Sequence, residues 1–441
     1  MTDAADPNHP SPADAIEIQP ASGPVRATVR PPGSKSLTNR ALVCAALAQG
    51  ESVLTGALVS DDTRVMIDSL QRLGIAVEVA DLGTTLRVAG AAGQVPATEA
   101  ELFIGNSGTT VRFLTALATL GHGAFRLTGV PRMHERPIGD LAEALNALGA
   151  SVLCESPGGC PPVQVHANGL PGGEARVGGS ISSQFLSALL MACPCADTPT
   201  RLTVDGELVS RPYVTMTLRT MRDFGVEVAA PEDLSRFDVP AAGAYRGRGY
   251  EIEPDASAAS YFWAIPAILG GAVTVEGLSR SALQGDVAFV DCLEQMGCRV
   301  EAGADAITVH GPPDSQPLRG ARLDMNAISD TVQTLAAVAL FAEGPTEVRG
   351  VAHNRHKETD RIADLATELR RLGAEVDELS DGLKITPRPL RPALVQTYDD
   401  HRMAMSLALV GLRQPGVRIA NPGCTAKTYP GYFADLARVV G

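Results

Sequence analysis

A glycine that follows a large apolar residue and precedes a short β-like stretch recurs along this chain at a nearly constant interval. LGIAVEV at Gly74, LGASVL at Gly149, FGVEV at Gly225, MGCRV at Gly297 and LGAEV at Gly373 place their glycines 75, 76, 72 and 76 residues apart. A fixed period of this kind means one supersecondary unit used repeatedly. Ahead of each glycine runs an amphipathic stretch, such as DDTRVMIDSLQRLG or DRIADLATELRRLG, with apolar residues at helical spacing; the glycine reads as its C-cap. Earlier in each unit lies a second, more apolar helix: NRALVCAALAQG, TTVRFLTALATLG, SQFLSALLMAC, ASYFWAIPAILGG, TVQTLAAVALFAEG and HRMAMSLALVG. A β-like piece follows each. The order helix, strand, helix, strand, six times over, specifies an α/β protein. Helices that are apolar nearly all round are predicted to be buried.

The residues just before the buried helices are small and polar: GSKS, GNSGTT, GSISSQ, DASAAS, AISDT and YDDHR. Singly, each is an N-cap. Gathered around one cleft, six helix starts would form a ring of free N–H groups and dipole ends that binds anions. Lys35, Arg40, Arg112, Arg136, Arg361, Arg402 and Lys427 lie in or near these clusters, although the chain carries a net charge of −13. Of its 37 basic residues only four are lysine: Lys35, Lys357, Lys384 and Lys427. A lysine kept where arginine is the rule points to a compact ammonium facing a ligand; Lys384, in the strand-like GLKIT, reads as incidental. The expected ligand is a strongly anionic, phosphorylated small molecule. The acidic balance argues against nucleic acid and membrane surfaces as partners. No apolar run is long enough to span a membrane, and the eight cysteines form no CxxC. These features, with an acidic, proline-rich start in place of a targeting signal, predict a cytoplasmic protein without disulfides and a disordered tail over residues 1–15.

Eight segments taken together, PGSKSLTNRALVCAALA, GNSGTTVRFL, PRMHERPIGDL, GGSISSQFLSALLMA, ISDTVQTLAAVALFA, HKETDRIADLATELRRLGAEV, YDDHRMAMSLALVG and CTAKTYPGYF, strongly resemble the 5-enolpyruvylshikimate-3-phosphate synthase family, in order from about Ile16 to the C-terminus. The resemblance implies a two-domain inside-out α/β barrel with three repeats per domain. One domain would comprise residues 16–33 and 254–441, the other 34–253, with the active site in the cleft between them. It implies transfer of the enolpyruvyl group of phosphoenolpyruvate to the 5-hydroxyl of shikimate 3-phosphate, with release of phosphate. That chemistry belongs to the shikimate pathway of aromatic amino-acid biosynthesis, needs no metal or organic cofactor, is inhibited by glyphosate, and is carried by a monomer.

Position by position, Lys35 resembles the family lysine that touches both substrates. Ser36, Arg40, Ser182, Ser183, Gln184, Ser210, Asp330 and Lys357 resemble ligands of shikimate 3-phosphate. Asn106, Gly108, Arg136, Gln184, Arg361, Arg402 and Lys427 resemble those of phosphoenolpyruvate. Asp330 resembles the proton acceptor at the 5-hydroxyl and Glu358 the proton donor. Read without the family, Asp330 is an N-cap, Glu358 a first-turn acid, and Asp61 and Asp62 a cap and a solvated face. Gly108 admits two readings, a turn needing positive φ or, as the resemblance favours, a position where a Cβ would point at the phosphoenolpyruvate phosphate. His353 and Asn354 depart from the family pattern, as do Ser107 and Phe113. The sister enolpyruvyl transferases acting on UDP-N-acetylglucosamine use a loop cysteine, and none stands between Gly108 and Arg136. An inactive scaffold that keeps only the anion site would not need Lys35, Asp330 and Glu358 together.

Overall fold

The structure is a computed structural model and describes residues 15–313 and 315–441. The tail expected over residues 1–15 falls outside them except for Ala15. Twelve α-helices occur among the described residues. They are α1 (Lys35–Ala46), α2 (Asp61–Arg72), α3 (Gly108–Ala118), α4 (Gly139–Ala147), α5 (Ser183–Ala192) and α6 (Arg211–Asp223). The second half of the chain supplies α7 (Ala256–Leu269), α8 (Phe289–Gln295), α9 (Val332–Ala339), α10 (Ala363–Leu372), α11 (His401–Gly411) and α12 (Tyr432–Val440).

The odd-numbered helices are the greasy ones. Every residue of α3, α9 and α11 is buried, and α1 leaves only Ser36 partly exposed. Their even-numbered companions bury one side: α10 turns Leu365, Ala366, Leu369 and Leu372 inward and its arginines outward. The five periodic glycines all adopt left-handed backbone, with φ from 85° to 115°, the conformation that ends a helix at low cost only without a Cβ.

Strands flank each buried helix. Glu99–Phe103 runs parallel to His122–Thr128 across α3, and antiparallel strands Cys160–Asn168 and Val152–Ser156 extend that sheet. Parallel pairs also span α5 (Gly173–Gly178 with Thr200–Asp205), α9 (Arg322–Asp324 with Thr346–Arg349) and α11 (Ala393–Val395 with Val417–Ile419). Two pairs are exchanged. Val25–Val29, ahead of α1, pairs with Gly271–Glu276 after α7. Tyr245–Arg246 and Gly249–Glu251, ahead of α7, pair with Ala48–Thr55 after α1.

Two compact units result. Unit 1 holds the described residues up to Pro31, then Ala256–Ala282 and Asp286–Gly441; unit 2 holds Pro32–Asp255 and Leu283–Gly285. Each has its own apolar core, with Val25 and Val29 in that of unit 1. The limits fall two residues from those drawn on the sequence because the two crossings are stitched together. Ser34 N–H donates to the Glu253 carbonyl and Asp255 N–H to that of Pro32, each at 2.8 Å. Leu283–Gly285 sits with unit 2 for a similar reason. The Leu283 N–H donates to the Glu253 carboxylate at 2.9 Å, and Gln284 Nε2 to the Pro254 carbonyl at 2.6 Å.

The periodic glycines make a paired test. A Cβ on Gly373 would lie 2.7 Å from the Pro389 carbonyl oxygen, whereas one on Gly297 would meet nothing closer than Pro317 O at 3.7 Å. Both alanine variants carry the cost of left-handed backbone, about 1–3 kcal/mol. Urea unfolding followed on unit 1 should show Gly373→Ala clearly less stable than Gly297→Ala; equal losses would mean that backbone conformation alone accounts for the repeat.

Candidate active site

In unit 1 three buried helices are tied together by their hydroxyls. Ser260 of α7 bonds Thr334 of α9 at 3.0 Å, and Thr334 bonds Ser406 of α11 at 3.2 Å. Above them lies a network of charge. Arg361, 1% exposed, touches three carboxylates: Asp330 at 3.2 Å, Glu358 at 3.0 Å, and Asp400 through Nε at 2.6 Å and Nη2 at 3.1 Å. Asp330 also receives Lys357 Nζ at 2.5 Å and Arg402 Nη2 at 2.8 Å. Glu358 receives Lys427 Nζ at 3.1 Å. Asp400 caps α11, its Oδ1 accepting the Arg402 N–H at 2.8 Å.

The sequence reading of Asp330 as an N-cap does not hold. It lies inside a 3-10 turn, Asn326–Thr331, and its carboxylate is spent on three cations. Burial alone would raise that carboxyl; Arg402, Lys357 and Arg361 outweigh it and hold it well below the usual carboxylate range. Burial lowers the Lys357 ammonium against the opposing pull of Asp330. His401 is held neutral by burial, with Arg402 beside it. The two departures at 353 and 354 are internal supports. Burial pushes His353 down to about 3, and Asn354 Nδ2 donates to the Ser329 carbonyl, next to Asp330, at 2.9 Å.

Unit 2 gathers the other residues singled out on the sequence. Lys35 opens α1 and is buried; its Nζ stands 3.3 Å from Asp62. Asp62 is therefore no solvated face. It was missed because an acid in a helix's first turn ordinarily faces water, and Ser60 with Thr63 already caps α2. The Asp62 carbonyl accepts from Thr110 of α3 at 3.4 Å, Gln184 of α5 donates to Thr109 at 3.3 Å, and Arg112 donates to Gln184 Oε1 at 2.6 Å. The starts of α1, α3 and α5 are thus joined. Ser182 caps α5 through Gln184 N–H, with Ser183 buried beside it; Ser210, left-handed at φ 51°, precedes α6.

Arg40 is enclosed, with no carboxylate among its bonds. Nε donates to Thr217 Oγ1 at 2.8 Å, Nη1 to the Ser36 carbonyl at 3.0 Å, and Nη2 to Ser187 and the Tyr213 carbonyl. The guanidinium lies over Phe113 at 5.3 Å and Tyr213 at 5.9 Å, and burial lowers it to about 10. Phe113 is therefore a stacking surface. Tyr213 is a second residue the sequence did not flag, and helical spacing from Ser210 was the available signal. Ser107 caps α3, its Oγ 3.4 Å from the Thr110 N–H.

The turn reading of Gly108 does not hold. It is not among the left-handed glycines, and a Cβ there would overlap Arg136 Nη2 and lie 2.7 Å from its Cζ. Arg136 Nη1 is fixed on Asn106, at 2.9 Å from the carbonyl and 3.2 Å from Oδ1.

Unit 1 therefore gathers cations around Asp330, Glu358 and Asp400, and unit 2 places them at the joined starts of α1, α3 and α5, arrangements that accept a multiply charged anion. No group of three or more His, Cys, Asp and Glu among the described residues is placed to hold a metal. Residues 20–436 match the family model for EPSP synthase (3-phosphoshikimate 1-carboxyvinyltransferase). The chain belongs to this family. A family member from Nostoc punctiforme, named 3-phosphoshikimate 1-carboxyvinyltransferase, is 50% identical over 97% of this chain and 99% of its own. One of the same name from Nitrosomonas europaea is 48% identical over 97% and 98%. The solved EPSP synthase from Acinetobacter baumannii matches with a TM-score of 0.78 at 26% identity, over 96% of this chain and 97% of that one.

The depressed Asp330 carboxyl has a signed consequence. Its contribution to stability is complete above the unfolded carboxylate value, about 3.9, and is lost as pH falls through the lower folded value. The stability gap between wild type and Asp330→Asn should stay constant from pH 7 to about pH 5 and close only below about pH 4. A gap that closed near neutrality would mean the three cations do not hold the carboxylate.

Proposed function

We propose that this chain transfers the enolpyruvyl group of phosphoenolpyruvate to the 5-hydroxyl of shikimate 3-phosphate, releasing phosphate. The observation that carries this reading is the Arg361 cluster, in which four cations, three of them buried and Lys357 partly so, surround two carboxylates, Asp330 and Glu358, suited to opposite proton transfers. Family membership supports it. Arg361, Arg402 and Lys427, with Arg136, Asn106 and Gly108, take phosphoenolpyruvate. Lys35, Ser36, Ser182, Ser183, Gln184, Ser210 and Lys357, with the remaining Nη1 hydrogen of Arg40, take shikimate 3-phosphate.

Asp330 accepts the proton of the 5-hydroxyl as its oxygen bonds to C2 of the enol, and Glu358 gives a proton to the methylene carbon. The resulting tetrahedral adduct gives a proton of its new methyl group back to Glu358 as phosphate leaves C2 with the proton held by Asp330, restoring the double bond. While Lys357, Arg361 and Arg402 hold Asp330 it is a weak base. Substrate phosphates and carboxylates that draw those cations away raise its proton affinity, so the base is switched on by binding. The eight unbridged cysteines and the absence, among described residues, of a helix able to cross a membrane fit a cytoplasmic setting. The proposal needs one chain only, as in a monomer.

Phosphate release tests the reading. The purified chain should release phosphate from phosphoenolpyruvate with shikimate 3-phosphate and not with UDP-N-acetylglucosamine. Asp330→Ala and Glu358→Ala should each lose roughly 10²–10⁴-fold in turnover. Release only with the nucleotide sugar, or with neither acceptor, would overturn it.

The Gly108 contact generates a second test. An alanine there displaces the flexible end of Arg136 and not the backbone, so Gly108→Ala should melt within a few degrees of wild type. Its KM for phosphoenolpyruvate should rise roughly tenfold, the scale of a displaced binding group, and glyphosate inhibition should weaken more. Equal loss of both ligands with a markedly lower Tm would point to a folding defect.

A further inference from the structure

Tyr398 and Asp399 are consecutive non-glycine residues with left-handed backbone, φ 53° and 55°. Such a pair persists only where its surroundings hold it. Its position matters because the next residue is Asp400, fully buried, which grips Arg361 by two bonds and caps the N–H of Arg402. Whatever fixes this turn fixes two of the cations assigned above to phosphoenolpyruvate.

The anchor is Glu368. It is the one acid that α10 buries completely, in a helix whose other charged residues face outward. Its Oε1 accepts the Tyr398 hydroxyl at 2.8 Å, and its Oε2 accepts the Gln396 N–H at 2.9 Å and Arg371 Nε at 3.0 Å. One carboxylate thus holds the turn by a side chain and by the backbone two residues earlier. The far side is tied as well. Asn421 Nδ2 donates to Asp399 Oδ1 at 3.1 Å, and Asn421 opens the 3-10 turn that ends on Lys427.

We propose that Glu368 and Tyr398 are positioning residues, a latch on the strained turn that sets Asp400 and through it the Arg361 and Arg402 guanidinium groups for phosphoenolpyruvate. This rests on the functional reading given above. Neither residue needs to touch substrate. Arg361 and Arg402 each have a further partner in Asp330, so loosening the turn shifts the guanidinium groups without releasing them.

Tyr398→Phe removes only the hydroxyl of a side chain that is more than a third exposed, so the fold should stand. The expected result is a KM for phosphoenolpyruvate raised about tenfold, with kcat within about threefold, the KM for shikimate 3-phosphate unchanged and Tm within about 2 °C. Glu368→Gln keeps an acceptor for the tyrosine and should recover part of the loss seen in Glu368→Leu. A Tyr398→Phe enzyme with wild-type KM for phosphoenolpyruvate, or with both KM values rising as Tm falls, would overturn the latch. Failure of the functional reading is seen separately, as a wild-type chain that releases no phosphate. Hydrogen exchange then decides the latch: faster exchange at the Arg402 amide in Tyr398→Phe supports it, and wild-type exchange removes it.

Discussion

Arg361 is the group on which the first unit's chemistry depends. A guanidinium cannot shed its charge, and a buried one is tolerated only when its field is answered by close anions and its donors are filled. The chain answers with Asp330, Glu358 and Asp400, and those carboxylates in turn bring in Lys357, Arg402 and Lys427. Four cations then stand against three carboxylates among helices α7, α9 and α11, whose surroundings are apolar. A phosphorylated ligand entering such a place meets charges that are already desolvated and already oriented, which is where electrostatic catalysis gains most.

The second unit solves the same problem differently. Lys35 has its carboxylate in Asp62, but Arg40 is buried on hydroxyls, carbonyls and two aromatic faces. An arginine with no anion beside it has its attraction for one undiminished, whereas Arg361 must first be shared out among three. One unit therefore offers unmet positive potential, and the other offers a poised mixture of acids and bases.

Much of this was legible in the sequence because the repeat is strict. Periodic glycines and six apolar helices mark the elements, and small polar residues mark the helix starts that Ser34, Ser107, Ser182 and Asp400 cap. What escaped depended on partners distant in the chain. Nothing local to Asp62 tells of Lys35, and AISDT reads as a cap until Lys357, Arg361 and Arg402 arrive from 27 to 72 residues away. Glu368 looks like any surface acid in DLATELRR, since two of the partners that hold it inside, Gln396 and Tyr398, come from the turn before α11. For Gly108 the deciding neighbour is Arg136, which no turn propensity could supply.

The exchanged strands carry a consequence for how the chain is made. Val25–Val29 is synthesised among the earliest of the described segments, yet its partner Gly271–Glu276 follows only after the whole of α1 to α7. The second unit, almost continuous in the chain, can close while synthesis proceeds. Its last strands, Tyr245–Arg246 and Gly249–Glu251, seal it just before α7 begins. Val25–Val29 must meanwhile wait with its hydrogen-bonding edges open, an exposure that favours mispairing until the partner arrives. It is five residues long and carries an arginine at its second position, a short, charged edge suited to that wait. Chain order and assembly order thus run opposite for this strand: a segment made well before its partner is among the last to be seated.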